Sequence, residues 1–157
     1  CEIERICPEL DAAELHEKVL EVVKEAKEAV DLIGADVVVS LGNGASRNIE
    51  TAKKLAQELA DALGGGVVGS SRALVDAGLM DAECQVGQTG KTVHPKVYVA
   101  LGISGAIQHR AGMQNSELII AVNKNETEPI FEAADYGLVG DLFKIVPEMI
   151  RAIQETK

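Results

Sequence analysis

Val97-Tyr98-Val99-Ala100-Leu101 runs without a break into Gly102-Ile103-Ser104-Gly105-Ala106-Ile107-Gln108-His109. An apolar run turning on glycine reads as a buried strand that passes into a helix, with Ser104 as the expected N-cap and the helix over 105–111. Such a junction points several unpaired backbone N–H groups and the positive end of a helix dipole at one place. A phosphate or an electron-rich carbonyl oxygen is stabilised there. Plain capping without a ligand is the alternative that these residues leave open.

Working outward from this turn, the chain alternates strand and helix. Asp36-Val37-Val38-Val39-Ser40-Leu41 is a continuous apolar run suited to a strand buried on both faces, followed by glycines and a helix over 48–63. Gly64-Gly65-Gly66 ends that helix and leads into the strand Val67-Val68. A short helix over 73–77, the strand 97–101, a strand over 118–122 and a terminal helix over 141–154 complete the order. Before them, Leu15, Val19, Val22, Val23, Ala26 and Val30 recur with helical period across 11–30, opposite a Glu/Lys-rich face. Repeated alternation with buried strands implies an α/β fold, a parallel sheet covered by helices on both faces. The 157 residues fit a single domain, with an N-terminal segment and helix over 1–34 and a core over 35–157.

In open parallel sheets, ligands lie beyond the carboxyl ends of the strands, at the point where strand order switches. Polar clusters stand at each of these ends: 42–47 after the first strand, 70–72 after the second, 104–109 after the third and 123–125 after the fourth. They bring together hydroxyls, amides, one arginine and one histidine, with no carboxylate pair or metal-ligating cluster. The long irregular stretch 79–95 adds Gly87, Gly90 and Lys91, and loops of that length in compact domains are often functional. Gln88-Thr89-Gly90-Lys91 does not meet the P-loop spacing. Gly42-Asn43-Gly44 also misses the dinucleotide fingerprint, because Arg47 occupies the third glycine's place.

Composition narrows the partners. The formal net charge of −10 opposes nucleic acid and anionic membranes, and 3% aromatic residues provide few stacking platforms for bases. No apolar run approaches the roughly 20 residues that span a bilayer, and Cys1-Glu2-Ile3-Glu4-Arg5 lacks a signal peptide's apolar region. A cytoplasmic protein with no membrane and no nucleic-acid partner is expected. Three cysteines, Cys1, Cys7 and Cys84, form neither a disulfide framework nor a metal spacing.

Gly69-Ser70-Ser71-Arg72-Ala73, Gln85-Val86-Gly87-Gln88-Thr89-Gly90-Lys91, the Ser104–His109 run, Asn123-Lys124 and Ala134-Asp135-Tyr136-Gly137 match a family pattern in order and spacing. In these motifs the chain resembles the FAD-binding domain of the electron transfer flavoprotein alpha subunit, over roughly Ala35 to Met149. The resemblance implies a three-layer Rossmann-like fold of the DHS-like NAD/FAD-binding kind, FAD as cofactor, and a role as an electron carrier rather than an enzyme. It further implies a beta subunit as partner and dehydrogenases as electron donors. By resemblance Arg72 lies beside the isoalloxazine ring, Thr89 at its N5/O4 edge and His109 near its O2 edge. Gln85, Val86, Gly87, Gln88 and Thr89 hold the ring and the ribityl chain. Ser71 and the amides of Ser104, Gly105, Ala106, Ile107 and Gln108 serve the ribityl–pyrophosphate region, with Asn123, Asp141 and Leu142 toward the adenosine. Reduction places negative charge on the flavin's N1–C2=O edge, where an imidazolium of His109 or the guanidinium of Arg72 stabilises it.

The pattern is departed from at Asn43, where the family usually carries an arginine toward the diphosphate; Arg47 stands four residues on. His94 and Asn125 also differ from the family's usual small and acidic residues. The alternative reading is an adenine-nucleotide-binding regulatory or interaction module on the same fold.

Overall fold

The structure, a computed structural model, describes residues 31–156. The helix expected over 11–30 lies outside the described residues. Five strands form one parallel sheet: β1 Val37–Leu41, β2 Val67–Ser70, β3 Val97–Leu101, β4 Leu118–Asn123 and β5 Tyr136–Val139, in the order β2-β1-β3-β4-β5. The helices are α1 Ile49–Ala62, α2 Arg72–Asp76, α3 Ile107–Arg110, α4 Ile130–Ala133 and α5 Leu142–Thr156, with 3-10 turns at Asn43–Asn48 and Ala82–Cys84.

The two-residue period of the strands builds two cores. Val37, Val39 and Leu41 of β1, Val99 and Leu101 of β3 and Val122 of β4 face α1 and α5, packing with Ala52, Ala56, Leu59, Val146 and Ile150. Val38, Tyr98, Ala100, Ile119 and Ala121 face the other way, against Leu32, Val86, Val93, Met113 and Ile130. The first face is covered by two long amphipathic helices. The second is covered by short helices and by the irregular 79–95 stretch, which is why that loop is fixed in place: Val86 and Val93 are among its buried anchors.

Several boundaries follow local chemistry closely. Asn48 caps α1 by accepting from the Thr51 N–H, and Asp141 caps α5 by accepting from the Phe143 N–H. Ser104 is not the N-cap expected from the sequence. α3 starts at Ile107 behind Ala106, whose backbone is extended, and no side chain caps it. The cause is Gly105, whose φ of +87° turns the chain away from a helical start while the Ser104 carbonyl accepts from the Ile130 N–H. With only four residues, α3 has a weak dipole, so the electrostatic reading of this turn rests on its amides instead. β5 and α4 were not expected from the sequence. Among the described residues no helix is long and apolar enough to cross a membrane.

Candidate functional site

A cavity of about 350 Å³ opens at the carboxyl ends of β1, β2 and β3, where the strand order switches. Volumes of roughly 300–1,000 Å³ are usual for small-molecule and cofactor sites. Its walls are Asn43 after β1; Ser71, Arg72 and Ala73 after β2; Ile103, Ser104 and Ala106 after β3; and Gln85, Val86, Gly87, Gln88, Thr89, Gln108 and His109. Three of the sequence motifs, 69–73, 85–91 and 104–109, therefore contribute residues to one opening.

Hydrogen bonding shows what this opening offers. Among the described residues none of the N–H groups from Ser104 to Gln108 is used in a backbone hydrogen bond, and Ser104, Ala106 and Gln108 line the opening. Their carbonyls, by contrast, hold the walls: Gln108 accepts from the Gln88 N–H at 2.7 Å, and Ser104 from Ile130. Ser71 is buried at the wall and its Oγ has no partner. Buried polar groups without partners are uncommon in native proteins, and this one belongs to a residue of the cavity wall. Gln85, buried beneath the loop, donates from Nε2 to the Thr89 hydroxyl at 2.9 Å and orients it. Arg72 Nε lies 3.2 Å from the Asp76 carboxylate one turn along α2. Both partners are well exposed, so the pair is weak and the guanidinium remains available to the cavity.

His109 is buried, with Nε2 2.9 Å from the hydroxyl of the wholly buried Tyr98. Burial pushes its pKa down to about 4, with the Val86 backbone partly opposing the shift. That backbone group does not reach hydrogen-bond geometry, and Nδ1 has no hydrogen-bond partner. The expected imidazolium is thereby corrected: at neutral pH the ring is neutral, because too little water reaches it to support a charge. Among the described residues of the cavity wall, Arg72 is the one that carries a standing positive charge.

Not every expected site residue lines this cavity. Gly105 shapes the turn from behind, and Ile107 is exposed to solvent. Asn123 and Leu142 border a separate small hollow of about 60 Å³ with Gly44, Gly102, Val122, Lys124 and Gly140. Asp141 stands beside it, 2.8 Å from Lys124 Nζ and 3.6 Å from Arg47. The Lys124 ammonium, then the Phe143 N–H, hold its carboxyl below the usual range. Arg47 is well exposed beside Asp141, whereas Asn43 lines the large cavity. Ala73 and Ile103 were not singled out from sequence; small and aliphatic residues carry no signal there beyond lying next to motif residues.

A parallel sheet whose switch point opens on free amides, hydroxyls and one guanidinium defines a nucleotide-cofactor-binding α/β domain. The model of the electron transfer flavoprotein FAD-binding domain matches residues 31–114, and the chain belongs to that family. Its cofactor is accordingly FAD. The chain is 66% identical over 148 residues to the acryloyl-CoA reductase electron transfer subunit beta of Anaerotignum propionicum, covering 94% of this chain and 40% of that protein. It is 53% identical to the electron transfer flavoprotein subunit alpha of Thermoanaerobacterium thermosaccharolyticum, covering 95% and 44%, and 49% identical to Protein FixB of Clostridium saccharobutylicum, covering 99% and 46%. The chain spans under half the length of these relatives.

Proposed function

We propose that this domain carries the redox-active FAD of an electron transfer flavoprotein, passing electrons between dehydrogenases and a further acceptor with a beta-type subunit as partner. No substrate is turned over at the domain itself in this reading. The observation that carries it is the row of unused N–H groups from Ser104 to Gln108 beside the unpartnered Ser71 hydroxyl and the Arg72 guanidinium. These are donors and a positive charge, the groups that suit an anionic cofactor. Bound FAD supplies an isoalloxazine that takes up and releases electrons.

The chain's own residues supply the rest. Arg72, Gln88, Thr89 and His109 would border the ring, with Thr89 held by Gln85 so that its hydroxyl is oriented before a ligand arrives. The amides of 104–108 and Ser71 would take the ribityl–pyrophosphate portion, and Asn123, Asp141 and Leu142 the adenosine end. Arg72 favours negative charge in the cavity, whereas neutral His109 excludes water from one wall. To test the carrier role, the chain is loaded with FAD, reduced anaerobically in steps and reoxidised. Retention of the flavin through repeated cycles is expected; its release on reduction would contradict the role.

A further inference from the structure

Behind the cavity wall lies a buried polar group that neither sheet packing nor ligand binding requires. Tyr98 points from β3 into the second core, where its neighbours are aliphatic, yet its hydroxyl lies 2.9 Å from His109 Nε2. Ser40 of β1 projects to the same face of the sheet, and among the described residues its buried hydroxyl reaches no hydrogen-bond partner. Room for it depends on Gly69, directly opposite on β2: a Cβ there would come within 2.5 Å of Ser40 Oγ. Phenylalanine would satisfy the packing equally well. A tyrosine in this place has a polar task.

We propose that Tyr98 is a positioning residue for His109: its hydroxyl donates to Nε2, holds the proton on Nδ1 and pins the ring in the cavity wall. The direction of the bond follows from the partners open to the phenol. Among the described residues the Tyr98 hydroxyl has one hydrogen-bond partner, His109 Nε2, so its proton is satisfied only by donation to that nitrogen. Nε2 is then the acceptor, and in a neutral imidazole the ring proton sits on Nδ1. Burial pushes the Tyr98 pKa far up, and the phenol therefore keeps its proton to donate. The neutral ring then presents a fixed orientation to whatever occupies the cavity. The consequence for the flavin rests on the FAD-binding reading above; the tautomer itself does not.

Imidazole ¹⁵N NMR on the full chain, with and without FAD, tests this. In the native chain His109 should show a protonated Nδ1 and an unprotonated Nε2. Tyr98→Phe, which removes only the hydroxyl, should shift the ratio of the two tautomers by about fivefold or more, the equivalent of one ordinary hydrogen bond. Ser40→Ala should retain the Nδ1–H form. A native His109 protonated at Nε2, or a Tyr98→Phe spectrum identical to native, would overturn the proposal. Failure of the native chain to bind FAD would overturn the functional reading while leaving the tautomer result to stand.

Discussion

His109 and Arg72 show how environment decides what a residue type contributes. Sequence alone offers both as cations, but burial beside Tyr98 lowers the imidazole from 6.5 to about 4, while Arg72 stays charged in solvent. The buried histidine makes stability depend on pH. Between pH 6.5 and 4 the unfolded chain binds a proton that the folded chain refuses, so stability is full above 6.5 and falls as pH drops toward 4. The loss attributable to His109 is about 3 kcal/mol over that window. Urea unfolding of the native chain and His109→Gln at several pH values measures it; equal slopes for the two would remove His109 as the cause. Arg72 predicts a redox effect. Arg72→Ala should lower the midpoint potential of bound FAD, and Asp76→Asn, which frees the guanidinium from its carboxylate, should raise it. A tenfold change in relative affinity for the two redox states is about 59 mV for one electron. Opposite shifts in a spectroelectrochemical titration are expected; no shift in either would place Arg72 away from the ring.

At the level of elements, the turns matter more than the helices they join. Gly105 approaches the backbone of Ile130 so closely that a Cβ would collide with its nitrogen, and its φ of +87° disfavours any other residue. Gly105→Ala should destabilise the fold by about 1–3 kcal/mol and displace the amides of 104–108. Thermal unfolding and FAD affinity should fall together, and loss of stability with unchanged affinity would separate the turn from the site. This turn also shows what sequence conveys. Val97–Leu101 is legible as a strand because all five residues are apolar, and Asn48 marks the start of α1 by its side chain. Ser104 misleads because its neighbour's left-handed backbone depends on a contact with Ile130, 25 residues on. β5 escapes notice since Tyr136-Gly137-Leu138-Val139 is a short, exposed edge strand without the apolar density of a buried one. The site motifs were legible as a set from the resemblance, whereas the division into a large cavity and a small hollow depends on how the strand ends pack in three dimensions.

For the molecule as a whole, one parallel sheet does two things. It buries two aliphatic cores, and its 2-1-3-4-5 order leaves a gap at β1 and β3 into which the loops after three strands deliver their amides and hydroxyls. A chain of net charge −10 that binds a dinucleotide diphosphate has to do so locally, through N–H groups and a few placed cations. The central claim is that the cavity lined by Arg72, Thr89 and His109 holds the flavin end of FAD. Titration of the chain with FAD, followed by visible absorbance and flavin fluorescence, tests it most directly, with ADP as competitor. Stoichiometric binding with a perturbed flavin spectrum, tighter for FAD than for ADP and weakened by Thr89→Val, is predicted. Equal affinity for ADP and FAD with an unperturbed flavin spectrum would contradict the claim and leave an adenine-nucleotide module in its place.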